Sequence, residues 1–194
     1  MRLIYSIVFC MIFIASSAQQ TYHNKAFGIS INIPAGWMEG TPKGVDSNLQ
    51  LSKKERTALL EKEGSVYLVN FFKLFVTGSD GLIPKIQINT VIKPEKTFAD
   101  FKKEAIASAD KLKKNLSDFE YIQRPEEITI SGIKSIYFII QYTMVINGKE
   151  MNIRNHTYAI PYQNYLFHIS LVDGPSEDCT ALFENLIKTI KVGL

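Results

Sequence analysis

The sequence predicts an α+β fold, an antiparallel β-sheet flanked by helices. Three observations carry that expectation. Residues 27–33 alternate strictly, with Phe27, Ile29, Ile31 and Ile33 on one side, which is the period of a half-buried strand. Two segments, Phe98 to Leu116 and Cys179 to Ile190, space their apolar residues at helical intervals instead. Between them, Ser135 to Tyr158 holds two long runs on either side of Asn147-Gly148, a pair that favours a two-residue hairpin turn because both residues tolerate positive φ.

The chain opens with Met1-Arg2, an apolar run from Leu3 to Ile14 broken only by Ser6, and the small residues Ser16-Ser17-Ala18. That is the layout of a secretory signal peptide over residues 1–18, cleaved near Ala18. The run falls short of the ~20 apolar residues that span a bilayer, and no second run is long enough. The expected product is therefore one domain, residues 19–194, secreted or periplasmic, with no integral membrane segment.

Pro34-Ala35-Gly36 stops the first strand, and Trp37 then plugs the core edge. Residues 38–50, broken by Gly40, Pro42 and Gly44, read as a loop. Ser52 and Glu55 form a capping box for a short helix that ends at Gly64. Val66 to Val76 and Lys85 to Ile92 read as strands joined across a Gly-rich turn. Thr97 caps the longest helix, whose stripe is Phe98, Phe101, Ala105, Ala109, Leu112 and Leu116. Glu120 to Gln123 and Ile128 to Ser131 read as two short strands separated by Pro125. The Asn147-Gly148 turn fixes the register of the next hairpin. It sets Ile146 opposite Lys149, Met144 opposite Met151, Gln141 opposite Arg154, Ile139 opposite His156 and Tyr137 opposite Tyr158. Tyr165 to Val172 follows as a third strand. A helix from Glu177 to Lys191, capped by Ser176, closes the chain. Helices then cover parts of both faces of one antiparallel sheet.

Composition narrows the function classes. The formal net charge of the whole chain is +3, too mild to argue for a nucleic-acid partner. Cys10 lies inside the leader, so Cys179 is the only cysteine beyond it and no internal disulfide can form.

The string Phe27-Gly28-Ile29-Ser30-Ile31-Asn32-Ile33-Pro34-Ala35-Gly36-Trp37 resembles the opening of PsbP-like and Mog1-like domains, where a strand ends in a Pro-x-Gly-Trp corner. The Thr97–Leu116 helix, the Ile128-Thr129-Ile130-Ser131-Gly132 step and the closing helix extend the likeness over most of residues 22–192. The resemblance implies an α/β/α sandwich around an antiparallel sheet. It also implies a role in binding rather than catalysis, and it carries over no metal or partner residue.

The sequence holds no Gly-x-Ser-x-Gly, no phosphate-binding glycine loop, no His-Glu-x-x-His and no Cys-x-x-Cys. No cofactor or metal is implied. Cys179 sits on an apolar helix stripe, where a buried structural thiol is the commoner state, and Glu177-Asp178 suits a helix N-terminus. One constellation stands out. Tyr137, Gln141, Arg154, His156 and Tyr158 share one sheet face, a set that can recognise an anionic or aromatic ligand; the plainer alternative is that a helix or solvent covers them. Loops 38–50 and 77–84 are further candidates for recognition. The reading is an exported, non-catalytic binding or assembly protein with an envelope protein as partner. The alternatives are a periplasmic small-ligand carrier using the face around Arg154 and His156, and a hydrolase whose residues converge only in the fold.

Overall fold

The structure, a computed structural model, describes residues 20–40, 48–77, 81–93, 97–146 and 148–193. The leader, most of loop 38–50, part of loop 77–84 and Asn147 lie outside them. In chain order the elements are β1 (Thr21–Asn24), β2 (Ile29–Asn32), β3 (Trp37–Gly40), α1 (Lys53–Glu63), β4 (Ser65–Lys73), β5 (Lys85–Ile92), α2 (Phe98–Leu112), β6 (Ser117–Ile130), β7 (Ile133–Ile146), β8 (Lys149–Tyr162), β9 (Tyr165–Asp173), α3 (Thr180–Ile187) and β10 (Lys191–Val192). Seven strands form one antiparallel sheet in the order β3-β4-β5-β9-β8-β7-β6, and β1, β2 and β10 form a second, smaller sheet.

The β7–β8 hairpin has the register that its turn dictates. Ile146 faces Lys149, Met144 faces Met151, Gln141 faces Arg154, Ile139 faces His156 and Tyr137 faces Tyr158. Period-2 alternation then sorts side chains between the two faces. One face carries Tyr158, Ile160, Phe167, Ile169, Leu171, Ile86, Ile88 and Phe71, all in the main core. The small sheet, α1 and α3 close over it. Tyr22 donates from its hydroxyl to Leu68 O, Tyr165 donates to Phe27 O, and Phe183 is fully buried. The opposite face carries Ile136, Phe138 and Ile140 beneath α2, which supplies Phe101 and Ala109.

The local signals for α1 hold. Ser52 Oγ accepts from Glu55 N, the Glu55 carboxylate accepts from Ser52 N, and Gly64 ends the helix at φ +72°, the left-handed region that glycine enters at little cost. Thr97 likewise accepts from Asp100 N at the start of α2.

Several expectations need correction. There are two sheets rather than one, because the 29–32 strand pairs with β1 and β10 instead of joining the main sheet. The start of the supposed loop 38–50 is a strand, β3, pairing Met38 with Phe72 and Gly40 with Asn70. Gly40 leaves room for the Phe72 ring, which a β-carbon there would overlap. The strand expected to reach Val76 stops at Lys73. The two short strands around Pro125 are one, β6, whose pairing with β7 shifts register three times. As the terminal strand of the sheet, β6 can hold a proline with no N–H to give. The closing helix runs only from Thr180 to Ile187. Cys179 is its N-cap without a side-chain capping bond, and Ser176 lies outside it.

Candidate functional site

Several charged residues meet at the segment between β9 and α3. Asp173 ends β9 fully buried. Its carboxylate accepts from Arg154 Nε and Nη2, both at 2.8 Å, and from the Cys179 backbone N at 2.6 Å. Arg154 also pairs with Asp178 at 2.7 Å, and Asp178 accepts from Thr180 N at the first turn of α3. This bidentate, charge-assisted set bolts the start of α3 to β8 and β9. Its bond to Asp173 raises the guanidinium pKa above its ordinary value.

Glu177, read from the sequence as a favourable charge at a helix N-terminus, lies ahead of α3 instead. It is buried, ion-paired with Lys73, and accepts from both the backbone N and the hydroxyl of Thr77 at 2.7 Å. One carboxylate therefore holds both feet of the arch 73–77. Two backbone bonds reinforce the first foot, from Lys73 N to Pro84 O and from Leu74 N to Gly36 O. The span between the feet points its apolar groups outward. Phe75 is 78% exposed and Leu74 48%, with Ile83 at 53% on the returning segment. Leu82 anchors that segment beneath, against Met151, Ile153 and Val172.

The five residues singled out from the sequence do share one face, and α3 lies over part of it. His156 is fully buried with its ring edge-on to Phe183, centroids 5.3 Å apart. Neither ring nitrogen has a hydrogen-bond partner, and Asp173 Oδ1 is 4.0 Å from Nε2. Burial pushes the imidazole down to about 4, outweighing the opposing pull of Asp173. Tyr158 is buried and stacks on Tyr137 at 4.5 Å, and burial raises both hydroxyl pKa values. Gln141 is half-buried opposite Arg154. Among the described residues clefts open elsewhere: about 370 Å³ beside His23 and Gln50, about 530 Å³ between Pro34 and α3, and about 90 Å³ beside Arg56. None of them is lined by these five residues.

Trp37 is buried as expected, edge-on to Phe183. Cys179 is buried and free, and burial pushes its thiol up to about 11. Among the described residues no group of three or more His, Cys, Asp or Glu side chains is placed to hold a metal. No described helix is long and apolar enough to cross a membrane.

Comparison with solved structures shows the fold. The chain is similar to cyanobacterial PsbP (CyanoP) from Synechocystis sp. PCC 6803, with a TM-score of 0.54, 14% identity, and coverage of 93% of this chain and 96% of that one. The fold is that of PsbP and Mog1. Similarity to the Ran-binding protein Mog1p of Saccharomyces cerevisiae has a TM-score of 0.50 at 9% identity, covering 90% of this chain and 95% of that one. No family model matches the chain, and no curated protein matches it by sequence. At these identities the likeness extends to the PsbP/Mog1 fold and not to any site.

Sequence reasoning missed Asp173, Glu177, Lys73 and Phe75 as site residues and reached Thr77 only as the first residue of the candidate loop 77–84. The usable signal was weak: three charged residues, Asp173, Glu177 and Asp178, around Pro175-Ser176, and an aromatic-rich strand followed by three apolar residues, Leu74, Phe75 and Val76, between Lys73 and Thr77.

Proposed function

We propose that this chain is a non-catalytic binding or assembly protein of the cell envelope that engages a protein partner through the clamped arch at residues 73–77. The observation that carries the reading is Phe75, 78% exposed on an arch whose two feet share one buried carboxylate. A large aromatic held outward on a rigid loop is the chemistry of an interface anchor: it offers apolar area with little ordering cost on binding. The leader read from the sequence supports an envelope setting. The use of the same fold by a Ran-binding protein supports protein binding as a task within its reach.

The hydrolase alternative meets an electrostatic objection. A nucleophilic cysteine needs a lowered pKa and a base that can take its proton. Cys179 is pushed up to about 11 and His156 down to about 4, so both are held neutral and inert at physiological pH. The carrier alternative needs an accessible Arg154–His156 face. Arg154 is engaged by two carboxylates and His156 is sealed under Phe183, so in our reading these residues lock α3 in place.

The test is site-specific photo-crosslinking. A photoreactive phenylalanine analogue replaces Phe75, and in a second protein it replaces Ile122, which is 49% exposed on β6. Both are expressed in the native envelope. One partner captured from position 75 and not from 122 supports the reading. Equal capture at both positions, or none at 75, overturns it.

A further inference from the structure

Arg56 of α1 is a partly buried cation with no acid beside it among the described residues. Its Nη1 donates to Ala26 O at 2.9 Å and Leu51 O at 3.0 Å, and the guanidinium lies over the Tyr165 ring, 5.9 Å from its centroid. Its Nε is buried with no acceptor. No carboxylate of the described residues lies within ion-pair distance. A guanidinium withdrawn from water without a counter-charge is costly unless something supplies one. Here it walls a cleft of about 90 Å³ together with Lys25, Tyr162, Gln163, Gly28 and Gly193. Lys25 is exposed and also without an ion pair among the described residues. Among the described residues the wall thus holds two cations and no acid.

We propose that this cleft binds a compact oxyanion, a carboxylate or a phosphate group, gripped by Arg56 and Lys25 with the Tyr162 hydroxyl as a third donor. The two backbone carbonyls fix the Arg56 head before any ligand arrives, which lowers the ordering cost of binding. The free guanidinium donors and the ammonium supply charge-assisted bonds. The volume suits a small group. Lys25 also lines the neighbouring cleft of about 370 Å³ beside His23 and Gln50, so a larger molecule carrying the anion has room there. This site is independent of the arch at residues 73–77.

The experiment is an NMR titration of the ¹⁵N-labelled protein with sodium phosphate and, separately, sodium acetate, at ionic strength held constant with sodium chloride. Saturable shifts are expected at the Gly28, Gln163 and Gly193 amides. Tighter saturation by phosphate identifies a phosphate site, and tighter saturation by acetate identifies a carboxylate site. Lys25→Gln should weaken binding up to about fivefold, the scale of an exposed charge contact. Arg56→Gln should weaken it by about tenfold or more. Arg56→Gln also breaks two bonds to the backbone and can fail to fold, so Lys25→Gln and Tyr162→Phe, which remove no side-chain hydrogen bond among the described residues, carry the test by themselves. The proposal is overturned if neither anion saturates these amides. Saturable binding that both of those variants leave unchanged overturns it as well.

Discussion

Replacing Asp173 with Ala probes the joint between β9 and α3. Asp173 is fully buried and accepts three hydrogen bonds, two from Arg154 and one from Cys179 N. The substitution leaves the Arg154 side chain, 16% exposed, with only the solvent-facing Asp178 as partner, and strands a buried backbone N–H. Removing one member of a buried pair costs about 3–5 kcal/mol, and an orphaned buried donor costs about 1–3 kcal/mol on its own. Asp178 can still neutralise part of the charge, so the sum should stay near about 3–5 kcal/mol. That is a large share of the ~5–15 kcal/mol that holds a domain folded. At ~2–4 °C per kcal/mol for a chain of this size, Tm should fall by roughly 6–20 °C. Urea unfolding should show a lower midpoint at unchanged slope. Because the pair is out of water, raising salt should change the loss little. Asp178→Ala is the control, since its carboxylate is 59% exposed and the pair should contribute less than about 1 kcal/mol. Arg154→Met combined with Asp173→Leu should recover much of the stability, because neither charge is then stranded. If Asp173→Ala costs no more than Asp178→Ala, Asp173 is not the bolt of α3.

Two further perturbations follow from the same region. His156 is held neutral with its pKa lowered from 6.5 to about 4, so the unfolded chain binds the extra proton first. Its burial therefore leaves stability intact above about pH 6.5 and removes it progressively as pH falls toward 4, by an amount on the order of 3 kcal/mol. His156→Leu should flatten that acid limb in urea unfolding measured from pH 7 to pH 4; an unaltered limb would mean the imidazole is not the titrating group. Glu177→Ala should release the arch. Amide exchange at Thr77 should quicken by about 10–100-fold, matching ~1.5–3 kcal/mol for bonds to a charged acceptor, while exchange in β8 keeps its protection; an unchanged Thr77 rate would show that the arch does not depend on its clamp.

How much of this was legible beforehand depended on the range of the interaction. The β7–β8 register followed from one turn and a period of two, so each pair from Tyr137–Tyr158 to Ile146–Lys149 could be assigned from sequence. The Ser52–Glu55 box and the Gly64 stop are contained in one helix and its flanks. Errors appear where a distant residue decides. Phe75 and Val76 are good strand formers, yet β4 ends at Lys73, and Glu177, about a hundred residues on, ties Lys73 to Thr77. Ser176 is a good helix cap by type, yet α3 starts only at Thr180, with Asp173 accepting from the Cys179 N–H just ahead of it. Pro125 breaks a central strand and not a terminal one, and strand order is not written locally. The candidate site failed to show for the same reason: Asp173, Glu177, Lys73 and Thr77 meet only in the fold, and nothing local distinguishes Phe75 from a core aromatic.

The binding account stands or falls on Phe75. Calorimetric titration of the protein with the partner crosslinked at position 75, repeated with Phe75→Ser, measures its contribution directly. The account predicts a negative heat-capacity change on binding, the mark of apolar burial, and a loss of affinity of about tenfold or more in the variant, as for a buried aromatic anchor. Affinity unchanged by Phe75→Ser would contradict it.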